Sequence, residues 1–230
     1  MSSSTYYKQG AATRFASFFG DAKRLRLLEH ITPRLSALQQ TLQRPLNILD
    51  IGAGTGMHAA YFAQMGHAVT AVDPVEEMQQ EGKKLYTQPG LNFIVDSLPL
   101  LEKLGESRFD VIYSVAAWQY IKPEDRQSAM ERAITLLHPG GILAIVWPVP
   151  MSREFQYPLS HDNLSATIDA VNQRLPENQR VQISAGIPIA DPDGRMGFID
   201  KTEKVYFNTT LGELPAIRIR NNPDMLRSRL

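Results

Sequence analysis

Cysteine is absent from all 230 residues, which excludes disulfides, thiolate nucleophiles and cysteine metal sites. Neither sign of charge dominates either: 24 Lys and Arg stand against 24 Asp and Glu, a formal net charge of zero. That leaves no electrostatic footing for a nucleic-acid or anionic-membrane partner. No apolar run approaches the roughly eighteen residues of a membrane span. The start, Met1-Ser2-Ser3-Ser4-Thr5-Tyr6-Tyr7, has neither a basic stretch nor an apolar core, so no secretory signal is expected and a cytoplasmic protein is. Internal repeats, low-complexity tracts and linkers are missing as well. With 43% hydrophobic and 21% charged residues, the chain reads as one soluble globular domain spanning 1–230.

What is present is a regular alternation of two periodicities. In residues 5–44, Leu25, Leu28, Ile31, Leu35, Leu38 and Leu42 recur every three or four residues as one helical stripe, which Pro33 should bend or divide. From residue 46 the pattern predicts strand 46–51, helix 56–65, strand 68–72, helix 75–86 and strand 91–95. A short helix near 98–104, strand 109–115, helix 123–137 and strand 141–147 follow. Pro139-Gly140-Gly141 should end the last helix and turn the chain into its strand. Such alternation implies right-handed βαβ units around a parallel sheet. Apolar runs such as Val111-Ile112-Tyr113 and Leu143-Ala144-Ile145-Val146 suit strands buried on both faces.

After Trp147-Pro148 the pattern changes. Leu164, Ile168, Val171 and Leu175 predict a helix over 161–175. Val181-Gln182-Ile183-Ser184 and Lys204-Val205-Tyr206-Phe207 read as strands, with Asp191-Pro192-Asp193-Gly194 as a turn, which together suggest a terminal antiparallel hairpin. Residues 211–230 carry little signal. The expected fold is therefore α/β, a doubly wound Rossmann-like sheet of seven strands, mostly parallel, with helices on both faces. Residues 1–44 would form a helical cap, 45–150 the binding core and 151–230 a substrate-side helix and closing hairpin.

The chemistry concentrates in Ile48-Leu49-Asp50-Ile51-Gly52-Ala53-Gly54-Thr55-Gly56, an apolar strand that stops in three alternate glycines before a helix. Glycine lets a backbone turn sharply and approach a ligand with no Cβ in the way, and a helix start presents unpaired N–H groups. The dinucleotide fingerprint has glycines at positions one, three and six. Counted from Gly52, Gly54 is third, but Met57 is sixth and the last glycine, Gly56, is fifth. That spacing disfavours a nicotinamide-dependent oxidoreductase. No Gly-Lys-Ser/Thr follows, which excludes a P-loop. Asp73 ends the second strand 21 residues beyond Gly52, where a carboxylate can accept from both hydroxyls of a ribose. It can also cap the helix that starts after Pro74, and the two roles are compatible.

The run Leu49–Gly56 resembles motif I of the class I S-adenosylmethionine-dependent methyltransferases. Three further landmarks follow in that family's order: Asp73, Phe109-Asp110-Val111-Ile112-Tyr113-Ser114, and Leu136-Leu137-His138-Pro139-Gly140-Gly141-Ile142-Leu143. Ala116-Ala117-Trp118-Gln119-Tyr120-Ile121 followed by Pro123-Glu124-Asp125-Arg126 resembles bacterial small-molecule members of the ubiquinone and trans-aconitate type. The resemblance implies S-adenosylmethionine as cofactor, S-adenosylhomocysteine as product, and no metal. It implies cofactor contacts from Asp50 (to the ammonium, directly or through water), Gly52, Ala53, Gly54, Gly56, Asp73 and Pro74. Asp96, Ser97 and Leu98 would lie beside the adenine, although Asp96-Ser97 also suits a helix cap. Ser114 would sit at the sheet's carboxyl edge. It implies an aromatic N-terminal lid (Tyr6, Tyr7, Phe15), with Arg14 positioned to meet the cofactor carboxylate.

Methyl transfer from a sulfonium can draw much of its rate from orientation, and a general base is needed only where water cannot take the acceptor's proton. The acceptor is expected to be a small molecule, methylated on oxygen, nitrogen or carbon. No Asn/Asp-Pro-Pro-aromatic motif follows strand four, which reads Ser114-Val115-Ala116-Ala117, and there is no cysteine for cytosine-C5 chemistry and no paired-glutamate loop. Trp118, Tyr120 and Tyr7 are candidates for the acceptor pocket. His161 and Tyr120 are the candidate bases, and His58 sits just inside the helix after the glycine loop. Trp118 serves equally as packing, Tyr120 as a buried helix-face aromatic, and His161 as a surface histidine. A non-catalytic protein that binds the same cofactor as a partner or regulator is the alternative function.

Overall fold

The computed structural model describes Thr13, Leu28, residues 31–147, Tyr157, Leu159, residues 161–181 and the backbone of residues 187–189 and 203–209. The expectations on Tyr6, Tyr7, Arg14, Phe15 and Leu25, on the 191–194 turn, on residues 211–230 and on the His161 side chain lie outside the described residues.

Helix α1 runs Thr32–Leu42 and strand β1 Asn47–Ile51. They are followed by α2 (Met57–Gln64), β2 (Ala68–Asp73), α3 (Glu76–Leu85), β3 (Leu91–Val95) and β4 (Phe109–Val115). Then come α4 (Arg126–Thr135), β5 (Leu137–Trp147), α5 (His161–Asn172), β6 (Ile187–Ile189) and β7 (Glu203–Thr209). The first five strands pair in parallel in the order β3-β2-β1-β4-β5. Beyond β5 the backbone of β7 pairs antiparallel, Ile142 with Thr209 through Trp147 with Lys204, and β6 pairs antiparallel with β7.

Alternation along each central strand divides the core into two layers. Leu49 and Ile51 of β1, Ile112 of β4, and Leu143 and Ile145 of β5 face one layer, shared with Met130 of α4 and Leu164, Ile168 and Val171 of α5. Ile48, Val111, Tyr113, Ile142, Ala144 and Val146 face the other, against Leu35 and Leu38 of α1 and Phe62 of α2. Each fully buried Leu, Ile or Val contributes about 1.5–3 kcal/mol. Because α1 lies in the second layer, the helical stripe expected upstream of β1 is part of the sheet's core at Leu28, Ile31, Leu35 and Leu38, all buried.

Several boundaries differ from the sequence reading. Pro33 occupies the first turn of α1, where its missing N–H has no partner to lose, and among the described residues the stripe is interrupted just before it: Leu28 lies in a 3₁₀ turn and α1 begins only at Thr32. The helix expected over 123–137 is a 3₁₀ turn at Pro123–Asp125 and then α4, which stops at Thr135. Strand β5 starts at Leu137 rather than 141, because Leu137 pairs with Phe109, after which the register shifts so that Val111 meets Ile142. Pro139-Gly140-Gly141 is thus a bulge inside the strand, with Gly140 at φ 83°. Of the short helix expected over 98–104, only a 3₁₀ turn at Glu102–Leu104 forms. α5 ends at Asn172, short of 175, although Leu175 is still buried. Val181, the one described residue of the strand expected over 181–184, lies in no strand.

The candidate cofactor site

β1 pairs with β2 on one side and β4 on the other, so the chain's crossovers diverge at β1. A cleft opens at such a switch point beyond the carboxyl ends of the strands, and residues 52–56 lie there. The loop is held from β2: the N–H groups of Gly52 and Ala53 donate to the Val72 carbonyl at 2.8 and 3.0 Å. The Gly54 N–H donates to Asp73 Oδ2 at 2.9 Å, and Asp73 Oδ1 accepts from the Val75 N–H at 2.9 Å. Gly52, Gly54 and Gly56 have φ of 72°, 58° and 82°, the left-handed region that favours glycine. Two of them are constrained further. A Cβ on Gly52 would fall on the Ala117 methyl, and one on Gly56 would lie 2.6 Å from Phe93 Cε1. The glycine at position five therefore lets β3 pack against the loop.

Asp50 and Asp73 are both buried. Burial, and then the nearby charge of Asp73, push Asp50 up to about 7 against a hydrogen bond from the Ala59 backbone. Asp50 Oδ2 has no partner among the described residues. Burial also pushes Asp73 up to about 6, opposed by the Val75 and Gly54 N–H groups. Asp73 does not cap α3, whose N-cap is Val75 with no side-chain bond; it closes the turn before it. Two of its roughly four lone-pair sites remain for a ligand. Two buried carboxylates thus lie together with no described cation beside them, which suits a ligand with an ammonium group and hydroxyls. Among the described residues no cluster of three or more His, Asp or Glu is arranged to hold a metal. No described helix is long and apolar enough to cross a membrane.

The other candidates divide. Both oxygens of Asp96 accept backbone N–H groups, from Ser97 and Lys103 at 2.8 Å each. The Asp96 N–H donates to the Asp73 carbonyl at 3.3 Å, which sets the two acidic residues side by side on adjacent strand ends. Leu98 packs partly buried against the core. Ser114 is buried and its hydroxyl donates to the Ile51 carbonyl at 2.8 Å, tying β4 to β1 just before the glycines. Trp118 is fully buried in the layer of Leu49, Ile51 and Met130, which is packing. Tyr120 lies half-buried in a 3₁₀ turn, Trp118–Tyr120, rather than on a helix face. His58 is half-buried with its ring edge-on to Tyr113 at 5.6 Å. Pro74 joins Asp73 to Val75, inside the turn that Asp73 closes.

Other residues shape the site without a motif to announce them. Gln79 of α3 is 1% exposed and donates to the Gly54 carbonyl at 3.2 Å. Ala116 takes φ 52°, and the Gln119 amide donates to its carbonyl at 2.7 Å. Arg126 is buried at the start of α4, donating to the carbonyls of Ile121 at 3.3 Å and Tyr157 at 3.1 Å, and burial lowers its pKa. For Arg126 the signal available was a polar residue on an otherwise apolar helix face.

Comparison with known proteins agrees with this geometry. The family described as "Methyltransferase domain" matches residues 48–141. A malonyl-[acyl-carrier protein] O-methyltransferase of Pectobacterium atrosepticum is 31% identical over 146 residues, 63% of this chain and 55% of that protein. An uncharacterized methyltransferase of Mycobacterium tuberculosis is 31% identical over 101 residues, 44% of this chain and 39% of that protein. The chain thus spans about half the length of the curated relatives it matches. Among solved structures, magnesium protoporphyrin IX methyltransferase of Synechocystis with bound S-adenosylmethionine superposes with a TM-score of 0.64 at 14% identity, covering 90% of this chain and 94% of that one. A Burkholderia thailandensis 1,6-didemethyltoxoflavin-N1-methyltransferase with its substrate and S-adenosylhomocysteine gives 0.58 at 22% identity, covering 91% of each. Residues 48–141 thus match the methyltransferase-domain family, and the glycine loop at the switch point with the two buried carboxylates behind it sits in a fold shared with solved S-adenosylmethionine-dependent methyltransferases.

Proposed function

We propose that the protein transfers a methyl group from S-adenosylmethionine to a small-molecule acceptor. The observation that carries this reading is the buried Asp50 Oδ2, without a partner among the described residues, beside Asp73 and directly behind a loop of three positive-φ glycines. The cofactor supplies an electrophilic methyl on a sulfonium. Asp50 would hold its ammonium, Asp73 the ribose hydroxyls through its two remaining lone pairs, and the loop backbone the amino-acid end. Asp96, Ser97 and Leu98 would border the adenine, and Ser114 fixes the β1 edge on which the loop turns. Arg14 and Tyr7 are the residues by which an N-terminal cap would close over the cofactor. Rate then derives from orientation and exclusion of water, with effective molarities of about 10⁵ M or more within reach. His161 and Tyr120 are the residues to test for a general base. Trp118 contributes to the acceptor side by supporting the turn that carries Tyr120.

The same reading extends to architecture and setting. Residues 1–230 would form one domain: an N-terminal part over 1–44, whose α1 packs on the sheet, the core over 45–150 and a substrate-side helix with a closing hairpin over 151–230. The antiparallel pairing of β7 with β5 supports a seven-stranded sheet. Zero net charge supports a small metabolite, in the cytoplasm, over a nucleic acid or membrane.

Thermal unfolding tests the cofactor: S-adenosylhomocysteine at 100 times its dissociation constant should stabilise by about 2.7 kcal/mol. Stabilisation by NAD and not by S-adenosylhomocysteine would overturn the reading. Transfer of a radiolabelled methyl into a metabolite extract, with the product identified by mass, then separates an enzyme from a protein that only binds.

A further inference from the structure

Gly54 has both of its backbone polar groups held by side chains. Its N–H is bound by Asp73, at the end of β2, and its carbonyl by the Gln79 amide of α3. Three residues along the same helix, Gly82 faces the next stretch of the loop: a Cβ there would lie 2.5 Å from the Thr55 carbonyl oxygen and 2.7 Å from Phe93 Cε1. One face of α3 thus grips the loop at one position and makes room for it at the next. The grip comes at a cost. Gln79 is 1% exposed, and its Oε1 has no hydrogen-bond partner among the described residues. A buried acceptor left unsatisfied is destabilising. A methionine or leucine would fill the same space without it, so packing does not account for an amide here, whereas the N–H donated to Gly54 does. Gly54, at φ 58°, is also a residue whose conformation its own chemistry does not fix.

We propose that Gln79 is a positioning residue for the cofactor: acting through the Gly54 carbonyl, it holds the glycine loop in its binding conformation at the expense of the stability of the ligand-free fold. The proposal rests on the S-adenosylmethionine reading. If the wild-type protein does not bind S-adenosylhomocysteine, that reading fails; the role of Gln79 is judged on the difference between variants of a protein that does.

Two variants test it. In Q79M the donor is lost and the volume kept. Its dissociation constant for S-adenosylhomocysteine, by calorimetric titration, should rise about three- to tenfold, while the Tm of the ligand-free protein stays level or rises. In Q79E the protonated acid can donate to Gly54 as the amide does, and the ionised form has no hydrogen to donate. Its affinity should approach the wild-type value near about pH 5 and fall away by about pH 8. Asp50 on β1 and Asp73 on β2 also titrate beside this loop, and Glu76 and Lys83 share α3. All are present in the wild type, so the difference between the two pH profiles isolates residue 79. An unchanged dissociation constant in Q79M overturns the proposal. So does a weakened affinity accompanied by a lowered ligand-free Tm, or a Q79E profile parallel to the wild type. Failure of both variants to fold overturns it too, since the side chain would then serve folding.

Discussion

The two ends of the β1–β4 pair each bury a carboxylate, and the two are treated in opposite ways. At the amino end, Asp110 meets Arg44 in a two-point contact of 2.7 and 2.8 Å and accepts the Asn47 N–H at 2.8 Å. Burial raises its pKa, but the Arg44 and Asn47 hydrogen bonds outweigh that and leave it lowered. At the carboxyl end, Asp50 and Asp73 face each other with no described cation, and both are raised. A fold that satisfies a buried charge at one end has the means to do so at the other. The unsatisfied end is therefore the one arranged for something the described residues do not supply.

This contrast can be broken most forcefully at Asp73. Asp73→Ala removes the partner of two N–H groups and the proposed ribose acceptor together. S-adenosylhomocysteine affinity should fall at least about 100-fold by calorimetry, since each charge-assisted bond contributes about 1.5–3 kcal/mol. An affinity within a few-fold of the wild type would remove Asp73 from the binding role. Next in size is the opposite behaviour of the two ends in acid. Asp50 and Asp73 have folded pKa values above the usual 3.8, so their contribution to ligand-free stability is complete below about pH 4 and is lost as pH rises to about 7. Asp110 is lowered, so its contribution is present above about pH 4 and is lost as pH falls through its folded value. Asp50→Asn should flatten the first slope, raising ligand-free stability at pH 8 by on the order of 2–4 kcal/mol, while cofactor affinity drops. A denaturant titration series across pH would expose a variant with the wild-type slope. The smallest effect is expected at the amino end. Arg44→Met leaves Asp110 buried without its partner, but Arg44 is 48% exposed and solvent weakens the pair. A loss of about 1–2 kcal/mol with cofactor affinity unchanged is expected, and a change in affinity would show that the two ends are coupled.

Much of the fold was written in local pattern. Ile48-Leu49-Asp50-Ile51 could be read as a buried strand, and the stripe Leu28-Ile31-Leu35-Leu38 as a buried helix face, because each periodicity has one physical cause. The end of α4 was not legible. Leu136 and Leu137 continue its apolar stripe, and only the pairing of Leu137 with Phe109 turns the chain to strand there; that contact is invisible along the sequence. At the site, glycines at alternate positions and Asp73 were legible because their chemistry demands those residue types. Gln79 was not, since one glutamine on a helix looks the same whether it faces solvent or a carbonyl. Trp118 left packing and pocket equally open, because an aromatic side chain suits both; it is completely buried in the core.

Arg126 holds the chain beyond β5 by the carbonyl of Tyr157, not by its ring. A tether of that kind is indifferent to sequence: any residue at 157 offers the same oxygen. The segment that carries Tyr157 can therefore change its side chains while its attachment to the body of the protein stays constant. Under the proposed function, with that segment on the acceptor side, such a tether would let acceptors diversify on a preserved donor site.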